Sequence, residues 1–223
     1  MNEAYPRIEM LQFSGMGTLL EMQIVTRNQV EDIRAKTDLA AARQQYERCE
    51  QLFSRFRKES ELSLLNSRLG MFQGASPDMI SVVREALFWY EYSTGLYDPR
   101  VIESLEANGY IHDFKAGDFS SGEMSDVRGY TDVLSADLEI RNDQVLFRRK
   151  MDFSGIVKGF ITDQVSSFFI KQGWKDFNVD SGGDMFMAGH APSGSRWNIA
   201  IEGLDEQKMI FSLTDEAIAT SGI

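Results

Sequence analysis

The stretch Met151-Asp152-Phe153-Ser154-Gly155-Ile156-Val157-Lys158-Gly159 is where this chain changes from strand to helix. Ahead of it, Glu139 to Arg149 predicts a hairpin, with Asn142-Asp143 as the turn and Ile140, Val145 and Phe147 as strand residues. Behind it, Ile161, Val165, Phe168 and Phe169 recur at helical spacing and predict a helix from Gly155 to Gly173. Such a join places Ser154 and Gly155 at a helix N-terminus, where unpaired N–H groups point outward and the dipole favours an anion. Lys158 falls in the first turn, a poor place for a cation unless it meets a phosphate. Asp152, at the strand end, can accept hydrogen bonds from a base or sugar, or orient the turn. The same residues also read as a plain helix start, with Asp152 and Ser154 as caps and Lys158 in solvent.

Working outward, Arg7 to Thr26 alternates partially in apolar residues around Gly15-Met16-Gly17. It predicts two strands or one bent strand, the glycines marking a bulge or a close approach of the backbone to another group. Glu31 to Phe56 carries Leu39, Ala42, Tyr46, Cys49, Phe53 and Phe56 at spacings of three and four, the stripe of a long helix. Cys49 lies on that stripe and reads as a buried structural thiol. Ser76-Pro77 opens a second helix, whose inward face is Ile80, Val83, Leu87 and Tyr90 and which ends at Gly95. Gly117 to Gly129 reads as a surface loop. Short strands are predicted at Phe177 to Asp180, Trp197 to Glu202 and Lys208 to Leu213. Asp180-Ser181-Gly182-Gly183-Asp184 is a glycine-rich turn between strands, open either to a ligand or to a tight hairpin. Strands and helices mix without regular alternation, so the fold class is α+β.

Composition sets bounds on function. The 223 residues are long enough for one sizeable core or two closely joined halves of one domain, and 43% hydrophobic with 26% charged residues is ordinary for a globular protein. A net charge of −11 opposes nucleic acid and anionic membrane, both of which need a basic surface. An anionic cofactor must then be held by local N–H groups, a few cations or a metal. One cysteine and two histidines, His112 and His190, exclude an internal disulfide and a thiolate or imidazole metal cluster, leaving a hard cation on oxygen ligands. The N-terminus has no signal-peptide pattern and no stretch reaches the length of a membrane span, so the expected location is cytoplasmic as written, or extracytoplasmic if an export signal has been removed. Ser93-Thr94-Gly95-Leu96-Tyr97-Asp98-Pro99 sets an aromatic ring beside a carboxylate on a loop, suited to stack on and hydrogen-bond a base or flavin, or else to cap the helix.

Taken in order, these pieces resemble the FAD:protein FMN transferase (ApbE-like) family, once named thiamine-biosynthesis lipoproteins. The resemblance is carried by Met16-Gly17-Thr18; by Ser54-Arg55-Phe56 leading to Ser60-Glu61-Leu62 and Asn66; and by Gly95 to Pro99. It continues through Asp152 to Gly159 with Asp163, Gly182-Gly183-Asp184, Trp197 and Ala219-Thr220-Ser221-Gly222. It implies a single T-fold-related domain over residues 1–223, with mixed or antiparallel sheets packed by helices. The implied activity is Mg²⁺-dependent transfer of FMN from FAD to a threonine or serine of an acceptor flavoprotein, releasing AMP. By position, Met16, Phe56, Leu96, Tyr97, Asp98, Asp152 and Lys158 would contact the flavin dinucleotide, and the Gly155 carbonyl would be one Mg²⁺ ligand. Relatives commonly have tyrosine in place of Phe56 and alanine or threonine in place of Gly155. They also run on past Thr-Ser-Gly, through a His-x-x-Asp-Pro segment to an Asp and a Thr that complete the metal site. The chain is therefore expected to be C-terminally incomplete. Two other activities fit the same residues: a non-enzymatic or vestigial flavin-binding protein, and a metal-dependent FAD pyrophosphatase yielding FMN and AMP.

Overall fold

The computed structural model describes residues 5–107, 132–200 and 210–220. The expected loop at Gly117 to Gly129, His112, and Ser221-Gly222 lie outside the described residues. The chain divides into two compact units, Met1–Glu47 with Lys158–Ile223, and Arg48–Val157.

In the first unit, β1 (Arg7–Gly15) and β2 (Thr18–Thr26) pair in register from Arg7 opposite Thr26 to Gly15 opposite Thr18. The two-strand reading holds, and the glycines mark a two-residue hairpin turn instead of a bulge. Met16 and Gly17 both have positive φ, 49° and 78°, as a primed turn requires. The sheet continues through β6 (Phe177–Asp180), β7 (Asp184–Ala188) and β10 (Glu216–Ala219) in the order β1-β2-β6-β7-β10, every pair antiparallel.

The period-2 pattern of β2 puts Leu20, Met22 and Ile24 on one face, all fully buried. Leu39, Ala42 and Tyr46 of α1 (Gln29–Phe53) and Ile161, Val165 and Phe169 of α6 (Ser154–Lys171) are buried too. Edge-on ring contacts join Tyr46 to Phe13 and Phe169 to Phe177. Val25 and Met187 point to the opposite face and pack on Trp197 of β8 (Trp197–Ala200), which pairs with β9 (Ile210–Leu213). The strands expected to reach Glu202 and to start at Lys208 are described only as far as Ala200 and from Ile210.

The second unit holds a smaller antiparallel sheet, β3-β5-β4, of β3 (Phe72–Gly74), β4 (Leu138–Arg141) and β5 (Gln144–Phe147). The Asn142-Asp143 turn is as expected, with Asn142 at φ 56°. Around it are α2 (Glu61–Asn66), α3 (Pro77–Tyr92), α4 (Ile102–Ala107) and α5 (Leu134–Asp137). Ser76 caps α3 through its hydroxyl, with proline at the first position, as the sequence implies. The helix stops at Tyr92 in a Schellman arrangement: Gly95 N–H bonds Tyr90 O and Thr94 N–H bonds Glu91 O. Thr94, at φ 55°, is the left-handed residue at the C′ position, ahead of the glycine that predicted the stop.

Helix α1 ends at Phe53, three residues before the predicted Phe56. Phe56 thus leaves the buried stripe and is 44% exposed, whereas Cys49 stays on it at 4%. Burial, reinforced by the nearby carboxylates of Asp78 and Glu50, pushes the Cys49 thiol up to about 12. Thiolate is therefore negligible at neutral pH. A thiol-specific reagent added to the native protein is expected to leave Cys49 unlabelled, with stoichiometric labelling once denaturant unfolds the chain; fast native labelling would contradict this burial.

Candidate functional site

Asp152 is positioned from three directions within the second unit. Asn66 clamps the preceding residue through two bonds, donating to Met151 O at 2.9 Å and accepting from Met151 N–H at 2.8 Å. The Asp152 N–H donates to Pro99 O at 2.8 Å, tying this segment to the Leu96–Tyr97–Asp98 loop. The motif around Asn66 is structural: Ser60 caps α2, and Glu61 accepts from the Ser76 N–H and hydroxyl, both at 2.6 Å.

The Asp152 side chain then takes the Ser154 N–H on Oδ1 at 2.7 Å. This corrects one expectation, because the Ser154 N–H is closed by the protein's own carboxylate instead of pointing outward to an anion. The N–H groups of Ile156 and Val157 close onto Phe153 O. Asp152 is a cap, as the alternative reading held, but capping occupies only one of its oxygens. Oδ2 lies 3.3 Å from Arg55 Nε, an ion pair between side chains 3% and 16% exposed, yet it has no hydrogen bond of good geometry. Arg55 in turn lies over the Phe56 ring at 4.5 Å. Both line a cavity of about 260 Å³ with Ser63, Asn66, Ile102 and Lys150.

Tyr97 packs its ring against Gly155, where an added Cβ would come within 3.3 Å of Cε2. Its hydroxyl is buried without a hydrogen-bond partner, and burial first, then the charges of Asp152 and Asp98, hold it well above the usual phenol range. Leu96 projects into solvent at 91% exposure. Asp98 has a structural task the sequence did not signal. It grips the fully buried Arg100 through Nε at 3.0 Å and Nη2 at 2.7 Å, and Arg100 also reaches Asp137 at 2.8 Å and Asp132 O at 3.0 Å. Desolvation would lower the Arg100 pKa, but these carboxylates more than offset it and hold it fully charged. Asp98 therefore spends its charge fixing the loop that carries Tyr97.

The first unit gathers a second group at one end of its sheet. The Gly182-Gly183 turn is a tight hairpin with φ of 77° and 96°, and Asp180 Oδ1 accepts both of its N–H groups at 2.8 Å. Thr18, directly after Met16-Gly17, fills the space at Gly182, where a Cβ would come within 2.4 Å of its Cγ2. Thr220 likewise sits against Gly183 and donates its N–H to Gly183 O. Three separated motifs thus meet here. Lys158, in the second turn of α6, interacts electrostatically with Asp184, whose carboxyl is nonetheless raised, by burial first and then by Asp180. Met16, at the hairpin tip, adopts a left-handed conformation that costs a non-glycine residue about 1 kcal/mol.

The structure thus brings Phe56, Tyr97, Asp152 and Gly155 into one neighbourhood through Arg55, which sequence reasoning left without a role. Lys158 and Met16 belong to the other unit. A metal fits less well: among the described residues no three carboxylate, histidine or cysteine side chains cluster to hold a cation. Gly155, exposed at the start of α6, can offer only a backbone carbonyl.

The ApbE family model matches residues 16–223. The FAD:protein FMN transferase of Vibrio cholerae is 27% identical over 223 residues, covering 96% of this chain and 66% of that protein. The FAD:protein FMN transferase of Chlamydia muridarum is 25% identical over 217 residues, covering 94% and 66%. The chain spans just under two thirds of the length of these curated relatives. Among solved structures, the flavin transferase ApbE from Vibrio cholerae superposes with a TM-score of 0.76 at 25% identity, covering 97% of this chain and 72% of that one. The apo flavinyl transferase ApbE of Pseudomonas stutzeri gives 0.75 at 20% identity, covering 100% and 73%, a likeness of fold.

Asp184 gives a pH test of the sheet-end cluster. Its folded pKa lies above the ordinary carboxylate value of 3.8, so the ionised form destabilises the fold at neutral pH; the penalty shrinks as pH falls through the folded pKa and is gone below 3.8. Asp184→Asn is therefore expected to raise the melting temperature at pH 7, with the gain vanishing near pH 3. A lower melting temperature at pH 7 would show that the Lys158 attraction dominates.

Proposed function

We propose that this chain, which belongs to the ApbE family, carries the flavin-binding part of an FAD:protein FMN transferase. The observation that carries the reading is the pair of buried polar atoms without hydrogen-bond partners, Tyr97 OH and Asp152 Oδ2, at the loop and helix start where the family resemblance expects flavin contacts. Each unsatisfied buried group costs about 1–3 kcal/mol. A ligand that donates to the carboxylate and engages the phenol recovers that cost.

On the family resemblance, Met16, Phe56, Leu96, Tyr97, Asp98, Asp152 and Lys158 are assigned to FAD. The half-exposed Phe56 ring, braced on its neighbour Arg55, is suited to stack on a planar ring system. Asp98 acts by fixing the loop, and the exposed Leu96 offers apolar surface. Lys158 neutralises pyrophosphate charge, the main protein contribution to phosphoryl-type transfer.

In the reaction, the hydroxyl oxygen of a threonine or serine on the acceptor flavoprotein bonds to the FMN phosphorus. The P–O bond to AMP breaks, AMP leaves, and the hydroxyl proton passes to base or solvent. Mg²⁺, when bound, supplies further charge neutralisation. The Gly155 carbonyl is assigned as one ligand only, since the described residues offer no cage for the ion.

Full-length protein incubated with FAD, Mg²⁺ and a flavoprotein acceptor tests the reading. Covalently fluorescent acceptor with released AMP is expected. Free FMN and AMP would indicate the pyrophosphatase, and bound but unchanged FAD a binding protein. Lys158→Ala is expected to weaken FAD binding about tenfold, the scale of one charge-assisted contact. An unchanged dissociation constant in a fluorescence titration would show that the lysine has no ligand role.

A further inference from the structure

Three hydroxyls lie buried in line within the first unit: Tyr46 at 1% exposure, Ser181 at 0% and Thr162 at 4%. Tyr46 OH is 2.7 Å from Ser181 Oγ, and Ser181 Oγ is 2.5 Å from Thr162 Oγ1. Thr162 Oγ1 is 2.8 Å from Lys158 O and 3.4 Å from Asp184 O. A hydroxyl has one proton, and a carbonyl can only accept. Thr162 must therefore donate to the carbonyl end, Ser181 must donate to Thr162, and Tyr46 must donate to Ser181. The chain has a single direction and ends on the backbone of Lys158, with Asp184 O as the weaker second acceptor.

Threonine bonding the carbonyl four residues back is common in helices and by itself only bends them slightly. Here the same oxygen also accepts from the glycine-rich turn, so α6 is pinned to the Asp180–Asp184 hairpin at the level of Lys158. We infer that Thr162 and Ser181 are positioning residues for Lys158, the Tyr46–Ser181–Thr162 chain holding its turn of α6 in register with Asp184 and the Gly182-Gly183 turn. The inference rests on the flavin reading in taking FAD as the ligand that Lys158 meets. Neither hydroxyl need touch the ligand, because each acts through the position of the lysine.

A double-mutant cycle separates positioning from mere stability. FAD titrations by flavin fluorescence would compare the full chain with Thr162→Val, Lys158→Ala and the double variant, below every melting temperature. Thr162→Val is expected to weaken FAD binding about fivefold in the presence of Lys158, the scale of one lost hydrogen bond, and to cost nothing further in the Lys158→Ala background. Thr162→Ser, which keeps the hydroxyl, should restore affinity. Equal losses in both backgrounds, or affinity unchanged by Thr162→Val, overturn the inference while leaving the flavin reading intact. If the unsubstituted protein binds no FAD, both fall. Should Thr162→Val fail to fold, Tyr46→Phe takes its place in the same cycle, with the same coupling expected and additivity again decisive.

Discussion

The arrangement of the second unit's candidate residues hangs on the burial of one carboxylate at the start of one helix. Asp152 is 4% exposed, and a charge so placed must be compensated. Compensation comes from the Ser154 N–H and from Arg55, while Asn66 on Met151 and the Pro99 carbonyl on the Asp152 N–H hold the segment in place. Those partners fix where α6 begins. They also bring Arg55, with Phe56 beside it, and the Tyr97 loop to the same neighbourhood.

The accounting is incomplete in an informative way. A carboxylate that only capped a helix would be satisfied by its N–H contact and a solvated second oxygen. Here the second oxygen is buried and faces a cation with poor hydrogen-bond geometry, and the Tyr97 phenol, raised by burial first and then by the charges of Asp152 and Asp98, has no hydrogen-bond partner either. Around this incompletely paired group the scaffold is tightly paired. Arg100 is held by the carboxylates of Asp98 and Asp137 and by the Asp132 carbonyl. Tight support around an unsatisfied centre is the pattern of a preorganised binding site.

Local sequence carried much of this and failed where the causes are long-range. The Asn142-Asp143 and Gly182-Gly183 turns, the Ser76-Pro77 helix start and the buried Cys49 follow from turn chemistry and periodicity, which act over a few residues. Phe56 was misjudged because a 3.6-residue period does not say where a helix stops, and α1 stops at Phe53. Strands β3 and β10 lie outside the expected strands and are strands through their partners β5 and β7, whereas β7 is implied, without bounds, by the glycine-rich turn read as lying between strands. Arg100, Thr162 and Ser181 gave no sequence signal. Apart from Asp98, two residues from Arg100, their side-chain partners lie 19 to 135 residues away, and nothing in a linear pattern pairs Tyr46 with Ser181.

At the sheet end of the first unit, two glycines and two threonines pack against one another. Gly182 and Gly183 are needed for two reasons together: a left-handed backbone at the turn, and the threonines 18 and 220 occupying the space a side chain would fill. The Thr162–Ser181 hydrogen bond ties α6 to that closely packed turn. A buried hydroxyl chain tolerates little error, since each member has one proton and its acceptor is fixed by the next. Its end on the Lys158 carbonyl links the lysine's backbone to the hairpin through Thr162 and Ser181. The same tie sets where the Lys158 side chain starts out relative to Asp184, the carboxylate with which it interacts.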